Sequence, residues 1–387
     1  MQQPAVRAAL AEAESSERDT IDDQIRFAEI PAPPFKEAAR GRELERVFQR
    51  LGLERVRVDG AGNVLGERPG RSPRPRLVVA AHLDTVFPEG TDVRVRREGR
   101  RLVGPGIGDN SRGLAVLVAI VRALNLAAVR TEGSVTFVAD VGEEGLGNLR
   151  GMKQLFDSTL PGQVDRFLAI DGSGLHVTHT FVGSRRYRVT YTGPGGHSFG
   201  AFGLPNPIGA VGRAAARLSD LQVPDEPRTT FNVGRVGGGT SVNAIPSEAW
   251  MEIDLRSADR GALSVLDANL HKVLDAALAE ENARWRAPGL LTMAVDLVGD
   301  RPAGRTLAGS LVVQRSLSAT RAVGGSPAES LSSSDANYPA SLGIPAVELG
   351  GGGRGTGAHS TGEAFDTTDS WLGTQRALLA TLALAEK

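Results

Sequence analysis

Short, unbroken apolar runs punctuate the first half of the chain. Leu77 to Ala81, Val135 to Ala139 and Phe167 to Ile170 are each apolar and β-rich throughout, which suits strands covered on both faces. Between the first two the period changes. Leu114, Leu117, Val118 and Val121 fall on one helical stripe, with Asn110 or Ser111 placed to cap its start. Strands alternating with helices predict an α/β domain with a mixed, mostly parallel sheet flanked by helices. In such sheets chemistry gathers at the carboxyl ends of the strands. Upstream, residues 21–57 read as two helices interrupted by Pro31-Ala32-Pro33-Pro34, because consecutive prolines enforce an extended break.

The grammar shifts near Arg185. Arg186 to Thr192 alternates as a half-buried strand, and Pro205 to Leu221 reads as a helix. Thr229 to Val236 and Ala249 to Leu255 read as strands, Asp259 to Trp285 as a long helix, and Leu291 to Val298 as a last strand. The order βαββαβ is the ferredoxin-like split motif. After about residue 300 the α/β pattern resumes. The predicted organisation is therefore a main domain in two pieces, 1–184 and 300–387, interrupted by an inserted ferredoxin-like domain at 185–299.

Composition narrows the function classes. A chain of 387 residues exceeds the usual size of a single core. The formal charge of −1 gives no reason to expect nucleic acid or an acidic membrane as partner. Its densest basic run, Arg94 to Arg101, alternates like a solvated strand or hairpin. With no cysteine, any metal site must be built from His, Asp and Glu. Met1 to Thr20 is polar and helix-prone without the apolar core of a signal peptide. The apolar run Leu114 to Val129 is broken by Arg122 and Asn125, short of the roughly 18 residues of a membrane span. The expectation is a soluble, cytoplasmic protein.

Four segments place acidic or imidazole groups just past an apolar strand or in a glycine-rich loop. In Ala81-His82-Leu83-Asp84-Thr85 a period of two puts His82 and Asp84 on one face, so the carboxylate can take the imidazole's other N–H. In Gly106-Ile107-Gly108-Asp109-Asn110, Asp109 precedes a helix N-terminus that favours an ionised carboxylate. In Gly142-Glu143-Glu144-Gly145 an extended backbone would point the two carboxylates apart, one toward a metal and one toward water. Asp171 ends the strand before Gly172, and His359 supplies a second imidazole late in the chain. Each alone has an ordinary structural explanation. As a set they close electrostatically, since two divalent cations balance Asp109, Glu144, Asp171 and one hydroxide, whereas three unpaired carboxylates could not share a low-dielectric cleft.

These motifs, with GPGGHSFG at 193–200, GGGTSVNAIP at 237–246, DLR at 254–256 and AHS at 358–360, resemble the two-zinc exopeptidases and amidases. That family includes carboxypeptidase G, tripeptide aminopeptidase (peptidase T), acetylornithine deacetylase and succinyl-diaminopimelate desuccinylase, and the likeness is greatest to the tripeptide aminopeptidase branch. The resemblance implies that His82 and Asp171 are terminal ligands of one metal and Glu144 and His359 of the other. It implies that the Asp109 carboxylate bridges the two and that the peptide bond from Asp109 to Asn110 is cis. Asp84 would orient a ligand, and Glu143 would act as general base, taking a proton from a metal-bridging water and passing it to the leaving nitrogen. The inserted domain would serve as lid and homodimer interface. His197 would steady the developing oxyanion, while Asn243 and Arg256 would hold the substrate's carboxylate. Gly350 and Gly351 would approach the substrate backbone. Asp335 lies in a family-like segment and receives no role. The implied activity is hydrolysis of a di- or tripeptide, with N-acyl-amino-acid amide hydrolysis as the alternative. The implied cofactors are two divalent ions, zinc by affinity, with manganese or cobalt also compatible.

Three rival readings use the same residues. Gly196-His197-Ser198-Phe199-Gly200 fits a serine-hydrolase nucleophile elbow, but that motif needs a strand directly before it and a helix directly after. The glycine runs at 104–108 and 350–355 lack the spacing or the helix of a dinucleotide-binding turn. A non-catalytic binding module would be expected to have lost Glu143 or a ligand, and all are present. His176 and His179 read as ordinary polar strand or loop residues.

Overall fold

A computed structural model describes residues 3–285 and 290–387. Residues 1–2, the start of the polar, helix-prone segment Met1 to Thr20, and 286–289 lie outside the described residues. The chain divides into two compact units, Met1–Phe181 with Gly304–Lys387, and Val182–Ala303.

The first unit is built on a nine-stranded sheet. Its order is Glu54–Val58, Val64–Arg68, Ser134–Asp140, Arg76–His82, Arg166–Ile170, Ala346–Leu349, Val177–Phe181 and Gly304–Arg305, with Glu329–Ser332 also pairing against Val177–Phe181. The four central strands run parallel, and antiparallel strands flank them on both sides. The apolar runs lie at the centre because both faces are covered. Leu77, Val79 and Ala81 join a core that includes the helix Ser111–Leu126 and the helix Ala38–Arg50. Val78 and Ala80 alternate into a second core with Met152, Phe156 and Ala340. The result is a helix–sheet–helix sandwich.

Local chemistry sets the element ends. Asn110 caps the buried helix Ser111–Leu126, its side chain accepting the Gly113 N–H at 3.0 Å. The second predicted helix is shorter than expected: it is Ala38–Arg50, and residues 54–57 belong to the strand Glu54–Val58. Gly52, at φ +73°, reverses the chain between them. The basic run forms the predicted hairpin, Arg96–Glu98 against Arg101–Val103. It continues a small sheet in which Arg101–Val103 pairs with Ala364–Asp366 and that strand pairs with Arg354–Thr356.

The second unit has a four-stranded antiparallel sheet in the order Thr229–Gly238, Glu248–Ser257, Gly183–Thr192, Thr292–Arg301, the ferredoxin-like arrangement. Its core joins Val189, Tyr191, Met251 and Leu255 of the sheet to Leu266, Leu270 and Leu274 of the helix Arg260–Arg284 and Ala210 and Ala214 of the helix Pro207–Ser219. Alternate sheet residues carry charge instead and pair across strands, as Arg186 with Asp254 and Arg188 with Glu252.

Candidate metal centre

The strand Arg76–His82 delivers a fully buried imidazole at its carboxyl end. His82 Nδ1 lies 3.0 Å from the backbone oxygen of Asp84. A carbonyl only accepts, so Nδ1 carries a proton and Nε2 is the nitrogen left to face the carboxylates or a cation. That Nε2 is 3.1 Å from Asp109 Oδ1 and 3.5 Å from Asp171 Oδ1. Asp171 follows the neighbouring parallel strand Arg166–Ile170, so sheet register alone sets these two ligands side by side.

Loops supply the remaining groups. Asp109 Oδ2 is 3.2 Å from His359 Nε2, which is itself 3.0 Å from Glu144 Oε1. His82, Asp109 and Asp171 therefore form one cluster of potential ligand atoms, and Asp109, Glu144 and His359 a second, each with its atoms within 4.8 Å of one another. Asp109 belongs to both. The Asp109–Asn110 peptide is cis, and His359 sits at φ +64°.

The turn carrying Glu143 and Glu144 is fastened from below. Fully buried Asp84 accepts the Glu143 N–H at 3.1 Å and the Glu144 N–H at 2.8 Å. This differs from the period-two expectation, because the Asp84 carboxylate stands 3.8 Å from His82 Nδ1 and makes no hydrogen bond to it. The strand ends at His82, so the alternation stops there, and the main-chain oxygen of Asp84 orients the imidazole instead. Glu143 is buried next to Glu144.

The electrostatics of the cluster call for cations. Burial opposes charge on His82, yet Asp171 and Asp109 push it well above the ordinary histidine value. His359 is raised to about 10 by its hydrogen bonds to Asp109 and Glu144. Burial raises Asp171 to about 6, whereas in Asp109 the two histidines overcome burial and lower it. Nε2 of His82 is buried and has no hydrogen-bond partner of acceptable geometry. A ring nitrogen so placed, among three carboxylates and a second imidazole, fits a pair of divalent ions that accept nitrogen and oxygen donors.

Comparison with known proteins places the chain in a family. The sequence profile of peptidase family M20/M25/M40 matches residues 78–385. The chain belongs to that family. A putative succinyl-diaminopimelate desuccinylase of Mycobacterium tuberculosis is 28% identical over 356 residues, covering 86% of this chain and 90% of that protein. Among solved structures, a tripeptidase from Staphylococcus aureus superposes with a TM-score of 0.79 at 22% identity, covering 95% of this chain and 98% of its own. A dinuclear metal-binding M20 peptidase from Bacillus subtilis does so with a TM-score of 0.70 at 18% identity, covering 96% and 99%. As an M20 protein the chain is a metal-dependent hydrolase of peptide or other C–N bonds.

The other residues singled out by the M20 resemblance fall in two places. His197, Asn243 and Arg256 belong to the second unit. There His197 and Ala244 are register partners in a two-residue ladder, and Asn243 accepts the Ser198 N–H through its backbone oxygen. His197 is exposed, and its Nδ1 accepts the N–H groups of Phe199 and Gly200 at 3.2 and 3.3 Å. The other ring nitrogen is then the donor, the form an oxyanion requires. Arg256 pairs with Asp254 at 2.6 Å. Ser198 lies in no nucleophile elbow, since a two-residue strand precedes it and the next helix begins at Pro207.

Gly350 and Gly351 lie in the first unit, where packing explains them. A Cβ at Gly350 would come within 2.2 Å of the Ser173 oxygen, and one at Gly351 within 2.7 Å of the Arg112 side chain. Their carbonyls accept from two fully buried guanidiniums, Arg376 and Arg112. A third buried arginine, Arg40, donates to the Leu83 oxygen between His82 and Asp84 at 2.7 Å. None of the three was singled out in the sequence. Asp335 is buried beside Asp140. Burial and the Asp140 charge push it well above the ordinary carboxylate range, and burial raises Asp140 to about 7. His176 and His179 pair with Glu348 and Glu329.

Proposed function

We propose that the protein is a two-zinc exopeptidase acting on di- or tripeptides, with His82 and Asp171 holding one ion, Glu144 and His359 the other, and Asp109 shared. The observation that carries this reading is the Asp109 carboxylate, with one oxygen toward each histidine. Divalent ions bound there supply Lewis acidity, lowering the pKa of water and polarising a carbonyl. The protein's own part is positional. Glu143 accepts the proton of the attacking water and delivers it to the leaving nitrogen, and its backbone N–H on Asp84 keeps it in register with Glu144. The donor tautomer of His197 supports a role on the developing oxyanion, and Asn243 and Arg256 are assigned to the substrate carboxylate on the strength of the resemblance. Gly350 and Gly351 are assigned, on the same resemblance, to the wall of the substrate site only, because their carbonyls are already held by Arg376 and Arg112.

Zinc is favoured over manganese or cobalt by affinity for a His and carboxylate set. The amidohydrolase alternative draws on the 28% identity to a putative desuccinylase, and the peptidase reading on the motif resemblance to tripeptide aminopeptidases. A homodimer through the second unit is part of the proposal, supported by the edge position of Thr229–Gly238 in its sheet. So is a cytoplasmic location, supported by a chain without cysteine.

The test is metal content of the purified protein alongside hydrolysis of di- and tripeptides and N-acyl amino acids, before and after chelation. About two ions per chain, with activity lost on chelation and restored by zinc or cobalt, is the expected result. Faster turnover of N-acetyl or N-succinyl amino acids than of every free-amine peptide would select the amidohydrolase. Activity indifferent to chelators would overturn the metal centre.

A further inference from the structure

Glu363 is buried in the first unit, four positions beyond His359. Its carboxylate accepts three backbone N–H groups from a single turn: Gly106 at 2.8 Å on Oε2, and Gly108 at 2.8 Å and Asp109 at 2.9 Å on Oε1. Its backbone oxygen accepts a fourth, from Gly104 at 2.9 Å. The next residues, Ala364–Asp366, pair with Arg101–Val103, so the hydrogen bonds continue the edge of a small sheet into the turn. A Cβ at Gly108 would lie 3.0 Å from Glu363 Oε1, close enough to press on the carboxylate.

Among the described residues no arginine or lysine forms an ion pair with this carboxylate. Burying a carboxylate without a cation is costly, and converging N–H groups offset part of that cost. An amide could not replace it, because its NH₂ would face at least one of the three donors. What distinguishes this turn is its last residue, Asp109, the carboxylate common to both ligand clusters.

We infer that Glu363 is the positioning residue that fixes Asp109 against His359, so that the shared carboxylate and the exposed imidazole meet both ions in one geometry. The inference rests on the metal-centre reading above. The experiment compares wild-type protein with Glu363→Gln, by calorimetric titration of Co²⁺ into the chelator-treated full chain, by the visible absorption of the cobalt forms, and by kcat and KM. Expected are affinities for both ions about 10- to 100-fold weaker, an altered cobalt spectrum, and a fall in kcat with little change in KM. If Glu363→Gln shows no cooperative unfolding transition, Gly108→Ala, which presses on the same carboxylate from the turn, is expected to give the same losses. Wild-type affinity and an unchanged spectrum in the folded variant, with only a lower Tm, would overturn the inference alone. Wild-type protein that binds no metal would overturn it together with the metal-centre reading.

Discussion

At the scale of residues, the centre depends on how few groups hold its ligands. One carboxylate, Asp84, holds the N–H groups of both Glu143 and Glu144, so Asp84→Asn displaces a ligand and its neighbour together. That variant should lose metal affinity by about 10- to 100-fold, read by equilibrium dialysis, with kcat falling alongside. Glu143→Gln should behave differently. It should keep both metals, shown by atomic absorption, while kcat drops by about 10²- to 10⁴-fold. Equal metal loss in the two variants would contradict the division of labour. The residues of the two clusters were legible in sequence because most stand at a strand end or in a glycine turn that the apolar pattern marks. The actual partner of Asp84 was not, since alternation cannot report that the strand stops at His82. Glu363, Arg112 and Arg376 were equally hidden. A charged residue carries no sign of burial until the loops it hydrogen-bonds are folded around it.

At the scale of elements, Glu281 shows how one side chain can join two helices. It lies in the helix Arg260–Arg284, is buried, and accepts from the Asn206 N–H that precedes the helix Pro207–Ser219, from Arg213 and from Trp285. Burial opposes its charge, but the Asn206, Trp285 and Arg213 hydrogen bonds together hold it below the ordinary glutamate value. Its contribution to stability is therefore full above that ordinary value and is lost as pH falls through the lower, folded one. Glu281→Gln should cost about 1–3 kcal/mol at neutral pH, with the gap to wild type closing in acid, as urea midpoints across pH would show. A gap that widened on acidification would refute the assignment. Most of these elements could be read from periodicity. The extra residues assigned to the helix Ala38–Arg50 could not be excluded that way, because the turn at Gly52 depends on a backbone angle rather than on a hydrophobic pattern.

At the scale of the molecule, each unit buries its own core. The aliphatic and aromatic cluster of the second unit draws only on residues of that unit. Residues 182–303, expressed alone, should fold with a single cooperative transition by circular dichroism, and a featureless, non-cooperative melt would refute their independence. The α/β class and the split motif were legible because both periods are written plainly in the sequence. How the chain passes from one unit to the other was not, and there the strand register is informative. Phe181 and Gly304 are paired Cα partners in the first unit, and Ser184 and Arg301 are paired in the second. The chain thus departs and returns through neighbouring strand positions on both sides of the junction. A short hairpin turn joining Phe181 to Gly304 would leave the nine-stranded sheet uninterrupted. In evolutionary terms the second unit is a cassette. Its removal or exchange would leave the strands Arg76–His82 and Arg166–Ile170, with the side chains at their carboxyl ends, unaltered in sequence.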